Sequence, residues 1–224
     1  MTDPKALEVV PAILRKTYEA LLEDWHKVCR FADHVQIDIT DGIFAGNGTF
    51  REIRRFKQLE NSQKIELHLM VHQPAAYVDD VCDLNPARCI LHLESFAGTG
   101  DLAGVFETLR NETQSELALA VNPRSPRERL NEYLGMIDYV MFLAVDPGYA
   151  NQPFDQNIYQ RIGAFREQYK EWPIAVDGHV NKETIVPLVK AGATILCTNT
   201  AIFSQGDPVE NLTQLKLLAE SAES

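Results

Sequence analysis

The chain has 224 residues, a formal net charge of −11, and a hydrophobic fraction of 45%. So acidic a chain is a poor match for nucleic acid or an anionic membrane, and we expect neither as a partner. The length is normal for an α/β barrel and no linker-like stretch interrupts it, so we expect one domain over residues 1–224.

Nothing in the sequence suggests export or membrane insertion. The N-terminal stretch MTDPKALEVV lacks a basic region followed by an apolar one, and no segment approaches the roughly 18 apolar residues of a membrane-spanning helix. Four cysteines show no CxxC spacing, which favours buried free thiols over disulfides or a cysteine-bound metal. They are Cys29, Cys82, Cys89 and Cys197. These features predict a reducing, cytoplasmic location.

Strand-like and helix-like patterns alternate along the whole chain. The predicted strands cover residues 7–14, 35–38, 64–70, 89–93, 116–121, 138–145, 173–176 and 194–197. The helical stretches after them cover residues 18–32, 49–60, 75–84, 101–112, 125–136, 157–169, 181–192 and 207–220. Eight such units predict an α/β fold, a single (β/α)8 TIM barrel with eight parallel strands. A doubly wound sheet is the alternative, but it usually opens on a Gly-rich turn, which LRKTYE is not.

Reactive residues of such barrels lie at the C-terminal ends of the strands and in the loops that follow. Polar or adaptable side chains recur at those positions in this sequence. They are Gln36, Asp38, His68, Met70, His92, Glu94, Asn122, Asp146, the loop 147–152, Asp177, His179, Asn199 and Thr200.

Three of these residues suggest acid–base or metal chemistry. Asp38 shares one face of its strand with Gln36 and Thr40, and an unpaired buried carboxylate there would cost several kcal/mol. Asp38 and Asp177 could flank one substrate as a pair of bases. With His68 they could also hold Zn²⁺, Mn²⁺ or Fe²⁺, because a histidine and two carboxylates suit those ions. The structural alternative is that each residue only caps a turn or packs locally.

Ordered segments over almost the whole chain resemble ribulose-phosphate 3-epimerase and its relatives. The segments are VVPAIL, QIDITDGIFAGNGTF, ELHLMV, VDPGYANQPF, AVDGHV and AGATILCTNTAIF. The resemblance implies the ribulose-phosphate-binding barrel and inversion of a ketose-phosphate carbon next to the ketone through an enediolate. It implies that Asp38 and Asp177 are the acid–base pair as well as metal ligands, and that His68 is a metal ligand.

The sequence departs from the family pattern at several of these positions. Gln36 replaces the first metal-binding histidine, so we expect weak or altered binding of the divalent metal. Ala12 replaces a serine of the opening strand, and Thr40 and Leu143 replace two active-site methionines, whereas Met70 is retained.

The phosphate cradle also differs from the family pattern, because only one glycine remains in three paired positions. Those positions hold Ala150 and Asn151, Gly178 and His179, and Asn199 and Thr200, and Gly148 lies in the same loop as the first pair. We expect His179, Thr200 and the short helix 200–203 to supply the phosphate contacts that backbone N–H groups supply in the family pattern.

The leading interpretation is a ketose-phosphate 3-epimerase with a small-molecule sugar phosphate as partner, assembled as a homo-oligomer. A second interpretation is a diverged sugar-binding homologue without turnover. The third is a lyase on the same barrel, which is disfavoured because no inward-facing lysine ends a strand.

Overall fold

Eight parallel strands close into a barrel in the order of the chain, β1 to β8. The computed structural model describes residues 7–97, 101–147 and 154–222. The strands are β1 Glu8–Ile13, β2 Val35–Thr40, β3 Ile65–Met70, β4 Arg88–His92, β5 Glu116–Val121, β6 Tyr139–Leu143, β7 Ile174–Asp177 and β8 Ile195–Thr198. The predicted TIM barrel is confirmed.

Helices follow most of the strands and cover the outside of the barrel. The α-helices are α1 Tyr18–Val28, α2 Val78–Leu84, α3 Leu102–Glu112, α4 Ile158–Gln168, α5 Ile185–Ala191, α6 Thr200–Phe203 and α7 Pro208–Glu220. Short 3₁₀ helices cover Ile53–Gln58, Ser62–Lys64, Pro74–Tyr77, Leu93–Phe96, Arg127–Glu132 and Leu134–Met136. No helix in these described ranges is long and apolar enough to cross a membrane.

The segment after β5 differs from the expected helix at residues 125–136. It forms two 3₁₀ turns, within which only Leu130 is buried. Because most stability of a protein helix comes from packing an apolar face, a stretch with one buried side chain gains little from a full α-helix. The glycine at position 135 adds a further helix-weakening residue.

Successive side chains of each strand point alternately outward and inward, which gives one core between the barrel and the helices and a second core inside the barrel. In β6, Val140 and Phe142 pack outward against the helices, whereas Tyr139, Met141 and Leu143 point into the barrel. The interior cluster is formed by ten buried residues from six strands. Its members are Val10, Ile90, Ala118, Ala120, Tyr139, Met141, Leu143, Ala175, Ile195 and Cys197.

An ionic layer closes the barrel at the N-terminal ends of its strands. Glu66, Arg88 and Glu116 are register partners on β3, β4 and β5. The Arg88 guanidinium lies 3.2 Å from Glu66, 2.9 Å from Glu116 and 2.9 Å from Glu8. Three carboxylates therefore share one buried arginine below the apolar interior.

The cysteines agree with the sequence prediction. All four are free thiols, three of them are buried, and Cys82 is half-buried.

Candidate active site

Asp38, His68 and Asp177 meet at the C-terminal mouth of the barrel. They come from the ends of β2, β3 and β7, and one ligand atom from each lies within 4.8 Å of the others. His68 Nδ1 is 3.0 Å from Asp38 Oδ1 and 3.4 Å from Asp177 Oδ2. The structure thus brings together the three side chains that the sequence singled out, while their chemical roles stay predictions.

Gln36 lies immediately below this group and contacts all three members. Its Nε2 donates to Asp38 Oδ1 at 2.8 Å and to Asp177 Oδ2 at 3.0 Å, and lies 3.3 Å from His68 Nδ1. Its Oε1 is buried and has no hydrogen-bond partner among the described residues. One amide therefore bridges the two carboxylates and leaves its own acceptor unsatisfied.

The electrostatics of the group follow from its burial. Burial alone would lower the pKa of His68, but the contacts with Asp177 and Asp38 raise it to about 9. Burial raises the pKa of Asp38, and the charge of Asp177 adds to that effect, whereas the hydrogen bond with His68 opposes it. Asp38 is the more enclosed carboxylate, with 8% of its side chain exposed against 16% for Asp177.

A cavity of about 350 Å³ opens directly above the two aspartates. Asp38 and Asp177 line it, together with other predicted or replaced positions that include Met70, Leu143, His179, Asn199 and Thr200. Gly178 lines it as well. A space of this size, with a few converging polar groups, is typical of a small-molecule site.

The chain turns sharply where β7 ends. Gly178 has a φ of +103°, and a Cβ at that position would lie 2.7 Å from Val145 Cγ2, so only glycine fits. His179 also adopts a left-handed conformation, with a φ of +53°, which costs a residue other than glycine roughly 1–2 kcal/mol. Its ring lies 6.2 Å from that of Phe154. The turn directs the chain over the cavity.

Ala12, another predicted substrate residue, has different surroundings. Ala12 is buried in β1 and its carbonyl oxygen accepts a hydrogen bond from Asn199 Nδ2 at 2.6 Å. Asn199 therefore ties β8 to β1 as well as lining the cavity. Gly148 and Asn151 lie outside the described residues.

Sequence reasoning missed several residues of the site. Cys197, Val145, Asn181 and Ser204 line the cavity without having been predicted. His92 and its neighbours were noted at strand ends but given no role. The inward parity of β8 would have found Cys197, because alternate residues of one strand share a face.

The closed barrel and the acidic group at its mouth define a TIM-barrel protein with an enzyme-like site. A model described as the ribulose-phosphate 3 epimerase family matches residues 8–203, and the chain belongs to that family. The resemblance seen in the sequence is confirmed.

Two relatives show how far the similarity extends. A ribulose-phosphate 3-epimerase of Candida glabrata is 26% identical, over 93% of this chain and 90% of its own. A cytoplasmic isoform from Oryza sativa subsp. japonica, bearing the same name, is 23% identical over 100% of this chain and 99% of its own. The family is one of isomerases, as the sequence predicted.

A solved structure, the thiamine phosphate pyrophosphorylase of Pyrococcus furiosus, has a TM-score of 0.65 at 17% identity. It covers 99% of this chain and 98% of its own. At that identity the likeness concerns the fold alone.

Proposed function

We propose that this protein is a ketose-phosphate 3-epimerase that moves protons with Asp38 and Asp177. The observation behind the proposal is that two carboxylates from β2 and β7 share the floor of one cavity. Inversion at carbon needs a base on one face and an acid on the other, and two separate carboxylates can supply both. Membership of an epimerase family supports the same reaction.

In the proposed reaction one aspartate removes the proton from the carbon beside the ketone, which gives an enediolate. The other aspartate returns a proton to the opposite face. The two carboxyl groups must differ in protonation for this to work. Burial raises the pKa of Asp38, so we assign Asp38 as the acid and Asp177 as the base for one epimer, with the roles exchanged for the other.

The residues present fit a divalent metal at Asp38, His68 and Asp177. The fit is seen in Gln36, whose Nε2 lies within 3.3 Å of all three ligand atoms. Its Oε1 is buried and finds no hydrogen-bond partner in the part of the chain that the structure describes. Rotating the amide by 180° exchanges the two atoms and turns the oxygen toward the same three residues. A bound metal would supply positive charge that polarises the substrate carbonyl. We propose zinc, manganese or iron, held weakly because an amide oxygen replaces an imidazole.

We further propose that the phosphate is recognised by side chains at the ends of β7 and β8. His179, Asn199 and Thr200 line the same cavity as the aspartates. The His179 imidazole and the Thr200 hydroxyl are suitable anion partners, and His179 stands where glycine would otherwise allow close backbone approach.

Exchange of substrate hydrogen with deuterated solvent tests the reaction. Wild-type protein with ribulose phosphate should incorporate deuterium and form the 3-epimer. We expect Asp38→Asn and Asp177→Asn each to abolish epimerisation, yet each to retain exchange from one epimer only, with opposite preferences. Asp80→Asn is the matched control and should behave as wild type, because Asp80 is a half-buried residue that pairs with Arg54 and does not line the cavity.

Two outcomes would contradict this proposal. Identical residual exchange by both variants would remove the two-base mechanism. No exchange by wild type with any ketose phosphate would support a sugar-binding protein without turnover. A lyase has less support, because no lysine lines the cavity among residues 7–97, 101–147 and 154–222.

We also propose a single domain, a cytoplasmic location, and a homo-oligomeric assembly without nucleic-acid partners. The name of the rice relative as a cytoplasmic isoform supports the location.

A further inference from the structure

A second histidine holds His68 from the side away from the aspartates. Nε2 of His68 lies 2.8 Å from Nε2 of His92, both rings are fully buried, and their planes differ by 16°. A hydrogen bond between two imidazole nitrogens needs one N–H and one lone pair. The proton position on one ring therefore fixes that on the other.

The surroundings of His92 indicate which ring donates. Nδ1 of His92 lies 3.1 Å from Asn122 Oδ1 and 3.7 Å from Glu94 Oε2. The backbone N–H of Asn122 donates to Glu94 Oε1 at 2.9 Å, which holds the carboxylate beside the ring. The amide oxygen of Asn122 lies within hydrogen-bond distance of Nδ1 of His92, and the Glu94 carboxylate lies just beyond that distance. Both oxygens favour a proton on Nδ1 of His92 and leave a lone pair on its Nε2.

The barrel register produces this chain of contacts. His68 on β3 is paired with Ile90 on β4, and His92 is the next inward-facing residue of β4. His92 is in turn paired with Ala120 on β5, and Asn122 is the next inward-facing residue after it. Each contact thus rises by one inward-facing position from strand to strand, as the stagger of a barrel allows.

We propose that His92 is a positioning residue: hydrogen-bonded to Asn122 and lying beside Glu94, it accepts a hydrogen bond from Nε2–H of His68 and leaves Nδ1 of His68 as the nitrogen that serves the site. Nδ1 is the nitrogen that faces Asp38, Asp177 and Gln36. For its meaning in catalysis this inference rests on the proposed function, whereas the hydrogen-bond direction does not.

Nitrogen-15 NMR of histidine-labelled protein measures the direction of the hydrogen bond between His68 and His92, and the measurement does not require enzyme activity. The chain has six histidines, and His68→Gln and His92→Gln assign the two signals. In wild type we expect the Nε2 proton on His68, the Nδ1 proton on His92, and no bound hydrogen on Nε2 of His92. A proton on Nε2 of His92, pointing at His68, would overturn the proposal even if the protein is an active epimerase.

Substitutions at position 92 then test the consequence. His92→Leu removes the acceptor, and we expect Zn²⁺ affinity, measured by competition with a chromophoric chelator, to fall about 10–100-fold. His92→Gln places an amide oxygen near the position of the former Nε2, and this variant should recover most of the lost Zn²⁺ affinity. For an active enzyme, kcat should follow the same order with little change in KM.

Phe44→Leu controls for packing, because Phe44 contacts the His92 ring with centroids 5.0 Å apart and has no part in the hydrogen-bonded chain. It should leave the proton on Nε2 of His68. Circular dichroism and thermal unfolding establish that each variant is folded. Equal zinc affinity of folded His92→Leu, His92→Gln and wild type would show that His92 only fills space.

Discussion

Gln36 Nε2 lies 3.0 Å from Asp177 Oδ2 although 141 positions separate the two residues in the chain. The same nitrogen lies 2.8 Å from Asp38 Oδ1. The Gln36 amide therefore lies between the carboxylates of Asp38 and Asp177. As a neutral donor to both, it takes over part of the bridging role that a bound cation would have.

Replacing this amide should strengthen metal binding. We expect Gln36→His to raise Zn²⁺ affinity by about 10-fold or more, because imidazole is a better zinc donor than an amide oxygen. Isothermal titration of both proteins after treatment with chelator measures the change. If wild type keeps stoichiometric zinc through that treatment and the variant binds no more tightly, the amide is not a weak ligand.

Arg88 should be a major contributor to the stability of the barrel. Arg88→Met leaves the fully buried Glu66 without its cation, and breaking one partner of a buried pair typically costs about 3–5 kcal/mol. Urea unfolding measures the free energy. Arg30→Met removes the exposed pair with Glu60 and is the matched control, expected to change stability by at most about 1 kcal/mol. A similar small effect for Arg88→Met would mean that Glu66 is protonated and needs no partner.

Asp41 should make stability depend on pH in the acid range. Burial alone would raise the pKa of its carboxyl, but backbone N–H groups of His72, Phe44 and Ile43 lower it below the ordinary value. A carboxyl whose pKa is lower in the folded state stabilises the fold above its unfolded pKa of about 3.9. That stability is lost as the pH falls through the folded pKa.

The comparison of Asp41→Asn with wild type isolates this effect. Unfolding free energies between pH 2 and pH 6 should differ most near pH 6 and converge toward pH 2. A difference that stays constant over this range would show that the carboxylate charge contributes nothing.

His179 should discriminate phosphorylated from unphosphorylated sugar. If its side chain binds the phosphate, His179→Ala should weaken ribulose phosphate binding about 10–100-fold, the range expected for one hydrogen bond to a charged group, and leave ribulose binding unchanged. Calorimetric titration with both sugars measures the ratio. His179→Gly adds a second comparison, because it also removes the left-handed strain at φ +53° and should raise the unfolding free energy by about 1 kcal/mol. Equal loss for both sugars would place the phosphate elsewhere.

The sequence was sufficient for the barrel and for the residues at its mouth, because both depend on alternation along single strands. Glu66, His68 and Met70 share a face by parity alone, and the end of each strand then falls at the same rim. The turns after β5 were not predictable as 3₁₀, because the difference from an α-helix lies in how few side chains find a surface to bury.

Contacts between strands were beyond the reach of the sequence. The contact of His68 with His92 depends on the stagger between β3 and β4. The pattern of side chains within one strand does not show this stagger. Within the ranges that the structure describes, Oε1 of Gln36 has no hydrogen-bond partner. The sequence does not show this either, because it depends on side chains from β2, β3 and β7 meeting at one point.

The floor of the cavity is only one side chain thick at Cys197. This residue is paired with Asp177 in the register of β8 and lines the cavity, and its Sγ lies 3.6 Å from Glu66 Oε1 in the ionic layer below. The reaction site and the closed end of the barrel are therefore electrostatic neighbours, separated by a thiol. A change of charge in the ionic layer, for example at Glu66, should therefore alter the electrostatic field at the substrate although Glu66 does not line the cavity.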